Sequence, residues 1–478
     1  MLAAALYAAA APRLTVVVAV DGLNQQSLNE MRSYWPQGGL RTLAEEAWQT
    51  SVTFPHLVYG GNETLATLLT GTTPDRHGLA NDYAFLRSDR QPHNALEDNT
   101  ANGIGCDLHI SPAALLTPSL TDHMRMQYGE QSKIYAVGLR PEATVLLAGH
   151  AADACCWLDP AQQRWVTTDF YRQGLPAAAD AMNMNGRIAE LAARTWTPRM
   201  DINTYAHPTP QERKRPFAYD NNAVLLNSPA ANKLVIELAL AMQQQEHLGQ
   251  DLTPDMLLLQ LTVQTPKATP DPIQSAEQED IYLALNQDLG FLIEQLSKRI
   301  GSDQYTLLVL GLPRRGVGTD TRLAAGLPFR YFNTDRAAAL TSTYLMALYG
   351  HERWIDGAYA NSIYLNRTLI EKKNLSVETI ARQVTAFLLE FQGVQAAYTM
   401  REALLLSGTL RNSINKHATG DVFFCLESGW QLRQDEQHII DHVIDDNPTA
   451  PVMLWSGAQQ ALPADINSAT QVTRLLGL

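Results

Sequence analysis

The sequence predicts an α/β protein: a doubly wound, mostly parallel sheet flanked by helices, with one inserted subdomain. Three observations carry this. Short apolar runs at Leu14–Val20, Met256–Val263 and Tyr305–Leu310 have strand length and read as strands buried on both faces. Between such runs lie segments of helical periodicity. The clearest is Ser275–Ile300, with Ile281, Leu285, Leu289, Leu292, Ile293 and Leu296 on one stripe. Strands and helices also alternate along the chain, the pattern of a parallel sheet covered on both faces. A chain of 478 residues has ample length for one large core with insertions.

In chain order, the first strand ends at Asp21-Gly22. Two helices are expected between Asn29 and Gln49, broken at Gly38-Gly39. The Tyr59–Gly71 stretch reads as a glycine turn and an apolar helix that Asn62 caps, closed by the Thr72–Gly78 loop. Strands are expected at Lys133–Val137 and Thr144–Leu147. Residues 160–222, rich in Pro, Arg, Asn and aromatics, suggest an insertion over one sheet edge. Ala230–Glu246 and Leu369–Gln392 read as helices. Asp421–Leu426 and Val452–Trp455 are expected to close the sheet.

Composition narrows the function. Lys plus Arg is 36, Asp plus Glu is 49 and the net charge is −13. Nucleic-acid binders carry a basic face. The one basic run, Arg213-Lys214-Arg215 after Glu212, reads as a solvated loop, so nucleic acid is excluded as a partner. Met1–Ala11 resembles the apolar region and cleavage site of a secretory signal without its positively charged start. Export to the periplasm or cell surface is the expectation, and a helical or unstructured tail is the other reading. No other apolar run reaches membrane-spanning length. Residues 12–478 are then one domain. Cys106, Cys155, Cys156 and Cys425 follow neither zinc spacing nor a dense disulfide pattern. The adjacent pair is expected in the core, and one disulfide of undefined pairing stays open.

Asp21 stands where ligands bind in an open α/β sheet, beyond the carboxyl end of a strand. A carboxylate there is a metal ligand, a general base or a helix cap. The segment from Val16 to Gly78 resembles the opening of the alkaline phosphatase superfamily. Within it, the likeness is to the nucleotide pyrophosphatase/phosphodiesterase-like branch and the periplasmic PafA-type enzymes of Bacteroidetes. The matching residues are Ala19-Val-Asp21-Gly, Leu69-Thr-Gly-Thr-Thr-Pro-Asp-Arg-His-Gly78, Ala148-Gly-His150 with Trp157-Leu-Asp159, Ser275 to Tyr282, and Asn412 to Trp430.

That resemblance implies two zinc ions clamping a phosphate while a threonine attacks in line. The family's functional positions transfer unevenly. The first-strand aspartate is Asp21, but the nucleophile's position is Gly61. The Asp-x-x-x-His pair becomes Thr265 and Thr269. The Ala-Asp-His ending the next strand becomes Gly311-Leu312-Pro313. The late zinc histidine falls at Ile440, flanked by His438 and His442. The phosphate-contacting Lys-x-Arg becomes Arg140-Pro-Glu142, and the asparagine after His-Gly is matched to Asn81.

One carboxylate cannot hold a dizinc centre, because each zinc needs about three converging ligands. No cofactor is therefore expected, and Asp21 caps a helix or pairs with a cation. Arg140, Arg314 and Arg315 either replace the zinc charges, pairing with Asp21 or Glu63, or point into solvent. His77 and His150 read as structural, and Thr53-Phe-Pro-His56 as a strand end. No Gly-x-Ser-x-Gly elbow occurs, and Gly316-Val-Gly318 lacks a phosphate-loop spacing. The expectation is an inactive family member serving a binding or scaffolding role, its partner an unknown protein or a small anion. The alternative is a phosphomonoesterase or phosphodiesterase with a rebuilt site.

Overall fold

The computed structural model describes residues 11–58, 61–266, 275–313, 330–427, 429–434, 449–456 and 465–477. A nine-stranded sheet forms the centre. Its spatial order runs Trp48–Thr53, Thr449–Ser456, Tyr305–Leu312, Leu14–Asp21, Asp255–Thr262, Ile134–Gly138, Ala154–Asp159, Arg164–Thr168, Gly103–Ile104. Neighbours from Tyr305–Leu312 through Ala154–Asp159 pair in parallel, and the outer strands pair antiparallel. Leu14–Val20 is buried at every position, as its unbroken apolar run requires of a strand covered on both faces.

One face carries the helices Pro229–Gln245 and Ala276–Ile300. The other carries Asn62–Thr70 and Pro141–Ala148. Ser275 caps the 25-residue helix by accepting the Gln278 amide, and the Glu212 carboxylate accepts the amides of Ala276 and Glu277. Orphan N–H groups at that end are thereby satisfied. Its Leu289 and Gly290 lie against Gly38 and Gly39 so closely that a β-carbon on Gly39 would overlap the helix backbone. Among the described residues, no single helix is long and apolar enough to cross a membrane.

Residues 160–222 are not all an insertion, since Arg164–Thr168 is a strand of the central sheet; the part from Trp196 to Tyr219 docks on the Ala276–Ile300 helix through its buried acids. Tyr219 Oη donates to Glu277 (2.6 Å). Trp196 Nε1 and Tyr205 Oη donate to Asp280 (2.7 and 2.6 Å), and the Ala206 amide donates to Glu279 (2.9 Å). Arg213, Lys214 and Arg215 are exposed, but the first two belong to a short helix, Pro210–Lys214, rather than a loop. Glu212 of the same helix turns inward.

Several elements differ from the sequence reading. Thr144–Leu147 lies in the helix Pro141–Ala148, started by Pro141 in its first turn. Its apolar run reflects burial, not extension. Asn62 is the first residue of its helix, and Gly61 is the cap. Leu369–Gln392 holds two helices, Arg367–Lys372 and Val377–Leu388, separated by Asn374 at φ 55°. Val422–Leu426 joins Ile355–Tyr359, Ser362–Leu365 and Val394–Thr399 in a second sheet with its own core around Trp354, Ile363 and Phe424. Cys155 and Cys156 are fully buried, and all four cysteines are free thiols.

Candidate functional site

The first strand delivers Asp21 to the carboxyl edge of the sheet. In register beside it stand Thr262 on one neighbour and Leu312 on the other. Gly22 follows at φ 81°, and the chain turns into the helix Gln25–Met31, which Asn24 caps through the Ser27 amide. Asp21 is therefore not the cap. Its Oδ2 accepts from Gln260 Nε2 (3.0 Å) and lies 3.3 Å from Arg140 Nε. Gln260 Oε1 accepts the amides of Leu139 (2.7 Å) and Arg140 (3.0 Å), and Arg140 Nη2 donates to Gln264 Oε1 (3.1 Å). One buried glutamine thus ties the aspartate to the start of the Pro141–Ala148 helix that carries the arginine.

Gly61, the N-cap of the Asn62–Thr70 helix, is packed differently. The Asp82 carboxylate reaches over the helix N-terminus, and Oδ1 accepts the Asn62 amide (2.8 Å). A β-carbon on Gly61 would lie 2.6 Å from Asp82 Cγ and 2.7 Å from its Oδ2. Beside them lies a cleft of about 60 Å³ lined chiefly by Asp21, Gly61, Thr64, Arg140, Glu142 and Leu312. Sites for organic ligands run from about 300 Å³ upward, and this volume suits a few waters.

The expected site residues divide. Asp21, Gly61 and Arg140 meet in the cleft. Glu63 does not line it. Fully buried, it turns back so that Oε1 accepts the Gly61 amide (3.2 Å), as an acid in a first helical turn readily does. Asn81 is buried elsewhere, its Oδ1 accepting the Asp82 amide, and Asp82 takes the place facing Gly61. Thr265 is buried outside the cleft lining. Thr269, Arg314, Arg315, Ile440, His438 and His442, the Gly316-Val-Gly318 loop and the segment 1–10 lie outside the described residues. Gln260 and Asp82 were missed from sequence. A glutamine inside Met-Leu-Leu-Leu-Gln-Leu-Thr-Val was the available signal for the first.

His77 and His56 are both buried against Thr67. The Leu79 amide donates to His77 Nδ1 (3.3 Å), so its Nε2 donates to Thr67 Oγ1 (3.1 Å). His56 Nδ1 donates to Leu57 O (2.8 Å), and the Thr67 hydroxyl proton is shared between His56 Nε2 and Glu63 O, each at 2.8 Å. Desolvation holds His56 down to about 4 and His77 to about 3, so both rings are neutral. His150 differs: its bond to Asp122 Oδ2 (3.0 Å) raises it above the usual imidazole range.

A profile described as type I phosphodiesterase / nucleotide pyrophosphatase matches residues 15–311. The chain belongs to that family. Among relatives of the family, alkaline phosphatase PhoV of Synechococcus elongatus is 24% identical over 481 residues, covering 93% of this chain and 86% of that protein. Alkaline phosphatase PafA of Elizabethkingia meningoseptica is 23% identical over 394 residues, covering 77% and 72%. A protein of Myroides odoratus named calcium-transporting ATPase is 23% identical over 454 residues, covering 88% and 82%. The crystal structure of PafA superposes with a TM-score of 0.86 at 20% identity, across 98% of this chain and 96% of that one. The phosphodiesterase-type fold, with its large sheet between helices, is therefore the fold of this chain.

The zinc pair that the resemblance implies does not fit the described residues. Of the aligned ligand positions, Asp21 alone offers an anion, and it is bonded to an amide and a guanidinium. Thr262 and Leu312 flank it. Among the described residues, no three His, Cys, Asp or Glu side chains gather at metal-binding spacing.

Proposed function

We propose that this chain is a non-catalytic member of the family, exported from the cytoplasm, which keeps the alkaline phosphatase fold as a binding or scaffolding module. One observation carries the reading. Where the resemblance puts an attacking hydroxyl there is Gly61, and the Asp82 carboxylate fills the space its side chain would need. The Thr64 hydroxyl, in the first turn of that helix, lines the cleft but donates to the Gly61 carbonyl (2.7 Å) and stands off the aligned position, and the fixed negative charge of Asp82 repels a phosphate dianion. In support, Arg140 sets a guanidinium against Asp21, offsetting with protein charge what a metal would otherwise offset.

The test combines metal analysis with turnover on the purified full chain. We expect zinc well below one ion per chain and no cleavage of a chromogenic phosphate monoester or diester above the blank. Stoichiometric zinc with turnover would overturn the reading in favour of a hydrolase with a rebuilt site.

A further inference from the structure

Away from the sheet edge, a cavity of about 350 Å³ opens between the Tyr83–Asn94 hairpin and the second sheet. Arg87, Arg90, Arg367 and Lys372 line it, with Asp356. We propose that this cavity binds a small phosphorylated molecule, its phosphate held by the three guanidiniums and the lysine.

The site is built rather than incidental. Asp421, 3% exposed, accepts from two of its lining arginines, Arg87 Nη2 (2.6 Å) and Arg367 Nε (2.7 Å), and from the Leu365 amide (2.7 Å). Arg87 is further fixed by the Leu365 carbonyl (2.8 Å) and by the Tyr364 ring, whose centroid is 5.3 Å from Cζ. Arg90 sits at the hairpin turn with φ 63°, a conformation that costs free energy for a side-chain-bearing residue, and its Nε meets Asp356 Oδ1 at 2.9 Å. Lys372 makes no ion pair among the described residues.

Four cations thus line the cavity with one acid, Asp356, and a second, Asp421, pairs with two of them, in a chain whose net charge is −13. Each guanidinium has five N–H donors in a planar fork, more than the acids here use, and that fork matches phosphate oxygens. Buried Asp421 holds two of the forks in place before any ligand arrives, which lowers the ordering cost of binding. The volume exceeds that of a bare anion and lies at the small end of organic-ligand sites, about 300 Å³ and upward.

Calorimetric titration of the full chain at low salt with inorganic phosphate and with glucose 6-phosphate tests this. We expect saturable binding of both, tighter for the ester and weakened by added salt. The double variant Arg90→Gln/Lys372→Gln leaves the buried Asp421 network intact, and should weaken binding at least about tenfold. Arg140→Ala, at the sheet edge, should leave it unchanged. No binding at about 10 mM ligand, or equal affinity in the double variant, would overturn the assignment. So would binding lost on Arg140→Ala.

Discussion

The Asp82 carboxylate occupies the space that a side chain at Gly61 would need, while its Oδ1 caps the helix through the Asn62 amide. The two positions are therefore coupled: one can grow only if the other shrinks.

Restoring a threonine at position 61 should accordingly not restore a working nucleophile. Gly61→Thr should destabilise the chain by about 1–3 kcal/mol through overpacking. Asp82→Ala should cost about 1 kcal/mol for the lost cap. The double variant should lose less than the two costs added together, since removing the carboxylate makes room for the threonine. Urea unfolding of the four proteins measures the coupling, and additive losses would contradict it.

Arg140 and Asp21 form a partly exposed pair, 36% and 14% accessible, and the aspartate is also held by Gln260. Arg140→Ala should cost about 1 kcal/mol at low salt, with the loss shrinking as salt rises. Gln260→Leu should cost more, about 1–3 kcal/mol, because two backbone amides lose their acceptor and Asp21 loses one of its bonds in a buried setting. Denaturant midpoints at two salt concentrations check both.

Acid should undo the His56–Thr67–His77 cluster. Both histidines titrate lower in the folded chain, about 4 and 3, than at the ordinary 6.5. Their contribution is complete above pH 6.5 and is lost as pH falls from there through 4 and 3. At about 1.4 kcal/mol for each tenfold change in proton affinity, several kcal/mol are at stake. Melting temperature from pH 7 to 4 should fall steeply, and less so in His56→Gln, whose side chain does not titrate.

Asp288 acts in the opposite sense. Burial raises its carboxyl to about 7, Arg199 and Lys233 oppose that only in part, and its Oδ2 has no hydrogen-bond partner among the described residues. Its penalty is absent below the ordinary carboxylate range, grows as pH rises toward 7, and is constant above. Asp288→Asn should therefore stabilise the chain by about 1–2 kcal/mol at pH 8 and change little at pH 4. Equal effects at the two pH values would count against this.

The central strands were readable because a strand buried on both faces is apolar at most positions, which local sequence records directly. Thr144–Leu147 misled for the same reason: a helical turn buried on all sides presents an equally unbroken apolar run, and Pro141 was the clue to the helix start. Val422–Leu426 is a strand as expected. Its partners, however, lie dozens of residues away, and nothing local says which sheet it joins. At the site, Asp21 was identifiable from its place at a strand end, and Arg140 from the family resemblance. Their bridge through Gln260 depends on a side chain crossing between strands. Asn81 and Asp82 are neighbours in sequence, and only the packing shows that it is Asp82 that faces Gly61.

The strand Thr449–Ser456 lies between Trp48–Thr53 and Tyr305–Leu312. During synthesis, the ribosome thus makes the two flanking strands long before the piece that joins them. Until then both offer unpaired backbone edges, open to stray pairing with other chains. Final closure must await synthesis of Thr449–Ser456, more than 130 residues after Tyr305–Leu312, which favours slow maturation and gives a chaperone a defined edge to shield.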